Sequence, residues 1–253
     1  MKRHFTHNYL LNPQHRLSVA VIGAGGTGSQ VIGELARIDY ALYKLGHPGI
    51  HVTLYDDDVV TEANIGRQLF SPSDVGLSKS MVLIDRINSF FGVDWKSCKN
   101  RYPLDKANTN NITITCVDNV NSRISIGEHI RSYCGNDDMR TPYYWIDCGN
   151  QTDRGQVVLG TIKNINQPQS DSVESVSSLK CVDELFDLTQ VDEKDSGPSC
   201  SLAEALSKQD LFVNSMIAQV CCNLLWKLIT EGGIDYQGAF VNLKAMNTNP
   251  IKF

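Results

Sequence analysis

Ser18-Val19-Ala20-Val21-Ile22-Gly23-Ala24-Gly25-Gly26-Thr27-Gly28-Ser29 is the stretch from which the rest of the chain can be read. Its first half is a short, apolar, β-rich run, the pattern of a strand buried on both faces. Gly23, Gly25, Gly26 and Gly28 permit a tight turn and close backbone approach, and Gln30 to Leu45 then reads as a helix. A glycine turn between strand and helix offers the free N–H groups of a helix N-terminus, which suit phosphate. By itself the fingerprint says nucleotide and leaves open which one; a glycine-rich turn of any α/β protein is the plainer alternative.

Outward from this stretch the alternation continues. Ile50 to Tyr55 reads as a second strand ending at Asp56-Asp57-Asp58, and Asn111 to Val117 and Tyr143 to Asp147 read as further strands. Ser78 to Phe91 places Val82, Leu83, Ile87 and Phe90 at a helical period. Strands alternating with helices predict a doubly wound, Rossmann-like α/β fold with a mostly parallel sheet. Gln156 to Ile162 looks like one more strand. Asn164 to Ser199 is then polar, acidic and poor in periodicity, a length that is uncommon without a functional reason. The chain closes with a helix whose stripe is Val213, Ile217, Val220, Cys221, Leu224 and Leu228. The expected organisation is a single domain over residues 1–253, with a long mobile crossover loop over 164–200 and a C-terminal helix.

Composition narrows the function. The 253 residues are 42% apolar and 20% charged, enough for a full hydrophobic core. A net charge of −5 with no Lys/Arg run makes a poor binder of nucleic acid or of an anionic membrane. The longest uncharged apolar stretch, Leu211 to Trp226, contains Asn214, Gln219 and Asn223, which would be costly in lipid. No secretory apolar run follows Lys2 and Arg3, so the 8 cysteines are expected to be thiols in a reducing cytoplasm. None of them forms a C-x-x-C pair and the histidines share no ligand spacing, so no zinc is expected.

Three later groups of residues choose the nucleotide. A dinucleotide enzyme places an acid roughly 20 residues past its first glycine, and Asp56 lies well beyond that, although it still ends a strand from which a carboxylate reaches ribose. Asn64-Ile65-Gly66-Arg67-Gln68 follows, then Gly76-x-x-Lys79, then Asp118-Asn119 at a strand end with Arg123 behind it. One pyrophosphate has no use for an added Asn, Arg, Lys and acid. A triphosphate with magnesium uses all of them, since Arg and Lys neutralise phosphate oxygens and a carboxylate holds the bridging metal. The residues therefore point to ATP with Mg²⁺.

The order Gly-x-Gly-Gly-x-Gly-Ser, Asp-x-Asp, Asn-x-x-Arg-Gln, Gly-x-x-Lys and Asp-Asn resembles the ThiF-type adenylating enzymes, the bacterial relatives of ubiquitin-activating enzymes. The resemblance runs from about Leu17 to Val158. It implies that the glycine loop and Asp56 hold the adenosine and ribose, with Asp58 as the family's second acid. It also implies that Asn64, Arg67 and Lys79 grip the phosphates, that Gln68 and Asn119 belong to the same nucleotide site, and that Asp118 ligates Mg²⁺. In such enzymes the C-terminal carboxylate of a ubiquitin-like protein attacks the α-phosphate, giving an acyl-adenylate and pyrophosphate. Positive charge and an in-line pose can supply that catalysis without a protein base.

Pro198-Ser199-Cys200-Ser201 closes the acidic segment. A cysteine beside hydroxyls near a helix N-terminus can have a lowered pKa. The element is similar to the Pro-x-Cys-Thr/Ser that carries the thioester cysteine of ubiquitin-activating enzymes, which implies Cys200 as nucleophile. Cys181 is the reserve candidate, and Cys116, Cys148, Cys221 and Cys222 read as core thiols. A helix cap at Ser199 or Ser201, with Cys200 incidental, is the competing explanation. The chain departs from many bacterial members in lacking two C-x-x-C zinc pairs. It also lacks a Tyr-x-Arg-Gln context for an arginine donated across a dimer, although a homodimer is still expected.

Tyr144 to Asn150, Gly155 to Val158, Pro198 to Ser201 and Gln209-Asp210-Leu211-Phe212-Val213-Asn214 resemble a narrower group. It is the ThiF-related protein of the plasmid-type cassette named for ParB-related and ThiF-related proteins (PRTRC). That resemblance implies a ubiquitin-like partner, a conjugating-enzyme-like partner and a deubiquitinase-type metallopeptidase. Three other readings compete: an ATP-binding regulatory scaffold without adenylation activity, adenylation of a non-protein substrate without a thioester, and a dinucleotide oxidoreductase.

Overall fold

The computed structural model describes residues 2–102, 109–133, 135, 139–169, 171–188 and 209–253. In chain order the elements are β1 (Lys2–Phe5), α1 (Asn8–Leu11), β2 (Leu17–Ile22), α2 (Gly26–Lys44), β3 (Ile50–Tyr55), α3 (Lys79–Phe91), β4 (Lys96–Cys98) and β5 (Ile112–Thr115). They continue with α4 (Val120–Arg131), β6 (Tyr144–Asn150), β7 (Arg154–Thr161), β8 (Glu174–Ser175), α5 (Val182–Leu185), a last helix here named α6 (Val213–Thr230), β9 (Gly233–Ile234), β10 (Gly238–Asn242) and β11 (Asn247–Ile251).

One eight-stranded sheet runs in the order β11-β10-β7-β6-β5-β2-β3-β4. Strands β6, β5, β2, β3 and β4 are parallel, with Ile22 opposite Tyr55 and Thr115, whereas β7, β10 and β11 turn antiparallel beyond β6. The doubly wound, mostly parallel expectation holds. The sheet alternates its side chains between two cores, as a strand must. Val19 and Val21 join α2, α3 and α6 on one face, while Ala20 and Ile22 join Ile126 and Ile130 of α4 and Val182 of α5 on the other.

Three regions differ from the sequence reading. Helix α4 was not anticipated, because its apolar stripe is thin: Val120, Ile126 and Ile130 are buried among Asn, Ser, Arg and Glu. A separate three-stranded sheet, β8-β1-β9, ties the N-terminal residues to 174–175 and 233–234. The first part of the acidic segment is accordingly built into the fold: Leu179, Cys181 and Val182 are buried, and the Val176 N–H donates to the Arg3 carbonyl at 2.9 Å. Its later part, with Cys200, lies outside the described residues. At the far sheet edge β11 carries Pro250, a residue suited to an edge because it offers no N–H to a further strand.

Candidate functional site

Strand order reverses at β2, which has β3 on one side and β5 on the other. In an open α/β sheet the crevice beyond the carboxyl ends of strands at such a switch point is where ligands bind. The glycine turn leaves β2 here. Gly23 has φ +96°, a backbone conformation that favours glycine, and its N–H donates to the Tyr55 carbonyl at 2.9 Å. A Cβ on Gly28 would stand 1.8 Å from the Gly23 carbonyl oxygen, so the turn closes on itself only without side chains. Gly25 caps α2 without a side-chain hydrogen bond and faces open space, so the first-turn N–H groups have no side-chain cap, a setting that suits an anion. Gly26 is required for a different reason: a Cβ there would meet the Asn214 amide at 2.4 Å.

Asp56, just past β3, is anchored to the turn. Its carboxylate accepts from Ala24 N–H at 2.6 Å and from Asp58 N–H at 2.9 Å. Burial raises its pKa above the usual aspartate range, against the opposing pull of the Ala24 N–H and of the Lys79 charge. Asp58 is exposed and pairs with Lys79, whose buried ammonium lies 2.8 Å from the carboxylate. Lys79 opens α3, so this pair stands at the mouth of a second parallel unit.

Between Asp58 and α3 the chain makes two short turns. Asn64 is buried, and its side-chain oxygen accepts from Thr61 N–H and Oγ–H at 2.8 and 3.1 Å, so it shapes its own turn. Arg67 donates from Nη1 to Gln209 Oε1 at 3.1 Å, and burial lowers its pKa. Arg67 Nε and Gln68 Oε1 are both buried without a hydrogen-bond partner. Orphaned polar atoms of this kind cost about 1–3 kcal/mol each, and a phosphate acceptor for Arg67 with a donor for Gln68 would recover it.

Asp118 and Asn119 follow β5. The N-cap of α4 is Asn119, whose side chain accepts from Ser122 N–H at 2.8 Å and donates to Asp118 Oδ1 at 3.3 Å. With Asn119 as the cap, Asp118 is left exposed and takes no part in capping the helix. It lines a cleft of about 140 Å³ with Arg123, Gly149, Asn150, Gln151 and Gln156. A second cleft of about 320 Å³ shares Gln151 and Gln156 and continues past Arg154 to Phe240 and Asn249.

Two features were not anticipated. Asp147 on β6 is fully buried and takes Arg123 Nε at 3.0 Å and Thr115 Oγ at 2.6 Å on Oδ1, while its Oδ2 has no partner. The only sequence signal was an acid inside an apolar strand. The second feature is a cluster of Thr27, Asn150, Gln209 and Asn214 behind the glycine turn. As for the cysteines, Cys148, Cys221 and Cys222 are core thiols, and Cys116 is packed against the same core. Cys181 is buried as well, with its thiol pushed up to about 12, chiefly by that burial, which ill suits a nucleophile. Its neighbours Asp183 and Glu184 bring ligand atoms close to it, but Arg131 takes both Asp183 oxygens at 2.8 and 2.6 Å.

Comparison with known proteins agrees with this architecture. The ThiF family pattern matches residues 11–253. The chain belongs to the ThiF family. Among curated relatives, the ubiquitin-like modifier-activating enzyme 5 of Aedes aegypti is 28% identical over 127 residues, covering 43% of this chain and 30% of the relative. The same enzyme of Culex quinquefasciatus matches equally, at 28% over 127 residues. Among solved structures, selenomethionine-labelled PaaA superposes with a TM-score of 0.61 at 17% identity, covering 94% of this chain and 64% of PaaA. E. coli MccB crystallised with ATP gives 0.58 at 16%, covering 96% of this chain and 64% of MccB. This ThiF-family chain thus spans under a third of the curated relatives and just under two thirds of the structural ones. Among its described residues no helix is long and apolar enough to cross a membrane.

Proposed function

We propose that this ThiF-family chain is an ATP- and Mg²⁺-dependent adenylating enzyme, a single adenylation domain acting on the C-terminal carboxylate of a ubiquitin-like protein. One observation carries the reading. Arg67 and Gln68 carry buried, unpartnered groups, the glycine turn at the switch point has no side-chain cap, and an exposed Asp118 follows the neighbouring strand β5; we read them as one site. The names of the curated relatives and the MccB crystal structure with ATP support it, as does a second MccB structure, with MccA-N7isoASN.

In this reading the glycine turn and Asp56 receive adenosine and ribose, and Arg67, Lys79 and Asn64 serve the phosphates. Lys79 exchanges Asp58 for a phosphate oxygen, a charge-assisted bond in either case. Asn119 holds Asp118 towards the cleft. Asp118 is the carboxylate that would hold Mg²⁺, which when bound neutralises phosphate charge. The acyl chain approaches along the joined clefts, where Gln151, Gln156, Asn242 and Asn249 offer amide hydrogen bonds to an extended peptide. A carboxylate oxygen attacks the α-phosphorus, the bond to the bridging oxygen breaks, and pyrophosphate leaves with that electron pair. Cys200 then attacks the acyl carbon as thiolate, forming the thioester and releasing AMP. A homodimer, a conjugating-enzyme-like acceptor, a cytoplasmic setting and membership of a PRTRC cassette complete the proposal.

The test is ATP–pyrophosphate exchange with the ubiquitin-like protein of the same cassette, using wild type, Asp118→Ala and Cys200→Ala. Exchange should fall at least ~100-fold in Asp118→Ala, the size expected when a main electrostatic group is removed. It should survive in Cys200→Ala, which should lose only the thioester adduct. ATP binding without exchange in wild type would replace the enzyme with an ATP-dependent scaffold. Exchange with a small carboxylate instead would select the non-protein substrate.

A further inference from the structure

The Gln209 to Asn214 motif stands out in the sequence and has no part in the chemistry just described. In the fold it joins two elements of the proposed nucleotide site that are far apart in the chain, the glycine turn and Arg67. Asn214, at the start of α6 and buried, accepts on Oδ1 from Thr27 Oγ–H at 3.0 Å and from Asn150 Nδ2 at 2.6 Å. Thr27 lies in the first turn of α2, inside the glycine turn, and Gly26 is the residue whose missing side chain makes room for the Asn214 amide. Asn214 Nδ2 donates to Gln209 Oε1 at 3.0 Å, and the same oxygen accepts Arg67 Nη1 at 3.1 Å. Gln209 is itself fixed from behind, its Nε2 donating to the Gln151 carbonyl at 3.3 Å.

The path Thr27–Asn214–Gln209–Arg67 is therefore an unbroken line of hydrogen bonds from the glycine turn to the guanidinium. Its chemistry favours a brace over a stand-in for the ligand. Gln209 Oε1 already serves two donors and its amide nitrogen is anchored, so it has little freedom to leave. It also takes Arg67 by Nη1, and the buried Nε has no partner. Nε and Nη2 form one edge of the guanidinium fork, the edge that takes two oxygens of a phosphate side by side.

We infer that Gln209 and Asn214 are positioning residues that hold the anion-binding edge of Arg67 at a set distance from the glycine turn, so that the site measures the length of a polyphosphate. This rests on the nucleotide reading above. Held at the glycine turn through its adenosine and ribose, a triphosphate extends to Arg67, whereas a monophosphate ends short of that guanidinium and gains nothing from the brace.

Calorimetric titration of the full chain with α,β-methylene-ATP and with AMP tests this on Gln209, which is partly exposed, where Asn214 is buried and its loss would threaten folding. Gln209→Ala should bind the ATP analogue about tenfold more weakly, the equivalent of one lost bond to a charged group. AMP affinity and the melting temperature should stay unchanged. Gln209→Glu keeps an acceptor for both donors but adds negative charge beside the phosphates, so it should lose more of the ATP analogue than Gln209→Ala does. Equal losses for both nucleotides, unchanged affinity in Gln209→Ala, or tighter binding there would each overturn the brace. If wild type binds neither nucleotide, the nucleotide reading falls and the brace with it; a wild type that prefers the triphosphate beside an unaffected Gln209→Ala removes the brace alone.

Discussion

The sheet has two halves that differ in how they are built and in the roles proposed for them. The parallel half, β4-β3-β2-β5-β6, is wound by helices on both faces, and three of its five strands, β2, β3 and β5, are followed at their carboxyl ends by Gly23, Asp56 and Asp118. The antiparallel half, β7-β10-β11, carries no phosphate-type motif, yet it forms the wall of the longer cleft. Parallel strands need crossovers, and crossovers place helix N-termini and loops at one edge. The antiparallel strands turn back on themselves and line the longer cleft with Gln156, Asn242 and Asn249. In the function proposed above, this contrast divides the work: anion chemistry on one half and the grip on the acyl chain on the other.

Asp147 sits on β6, where the halves meet, and the largest effect is expected there. Asp147→Ala leaves the Arg123 guanidinium short of its buried partner, and breaking such a pair should cost about 3–5 kcal/mol. Urea unfolding would show it, and a change inside about 0.5 kcal/mol, the usual range for surface substitutions, would mean that the parallel half does not depend on this buried pair. Gly28→Ala comes next. Its Cβ would collide with the Gly23 carbonyl, and an overpacked turn should lose about 1–3 kcal/mol. Nucleotide affinity should fall with it, since the same turn faces the crevice; stability lost with affinity intact would separate the turn from the ligand. Phe240→Ala should have the smallest effect on stability, within about 0.5 kcal/mol for an exposed residue. It should raise the KM for the acyl substrate and leave that for ATP alone. An equal rise in both would blur the division between the halves.

What could be read in advance follows the same line. The parallel strands were legible because burial on both faces demands unbroken apolar runs, as in Leu17–Ile22 and Ile50–Tyr55. Helices α2, α3 and α6 were legible from their apolar stripes. Helix α4 was not, although Asn119 as an N-cap residue was a usable signal. Strands β10 and β11 were missed because Asn and Pro dilute their pattern, and β11 is exposed along most of its length.

The sequence alone determined the local chemistry: a glycine turn that only side-chain-free residues can close, a carboxylate ending each of two strands, and Arg67 and Lys79 at family spacing. Those properties depend on neighbours in the chain, so spacing reveals them. Only the tertiary structure decided who holds whom. It gave Asp58 to Lys79, turned Asn64 inward, handed the α4 cap to Asn119 and withdrew Cys181 into the core. It also brought Gln209 and Asn214 across the whole chain to Arg67 and Thr27. A hydrogen bond of about 3 Å is blind to sequence separation, and its partners are chosen by how the layers pack.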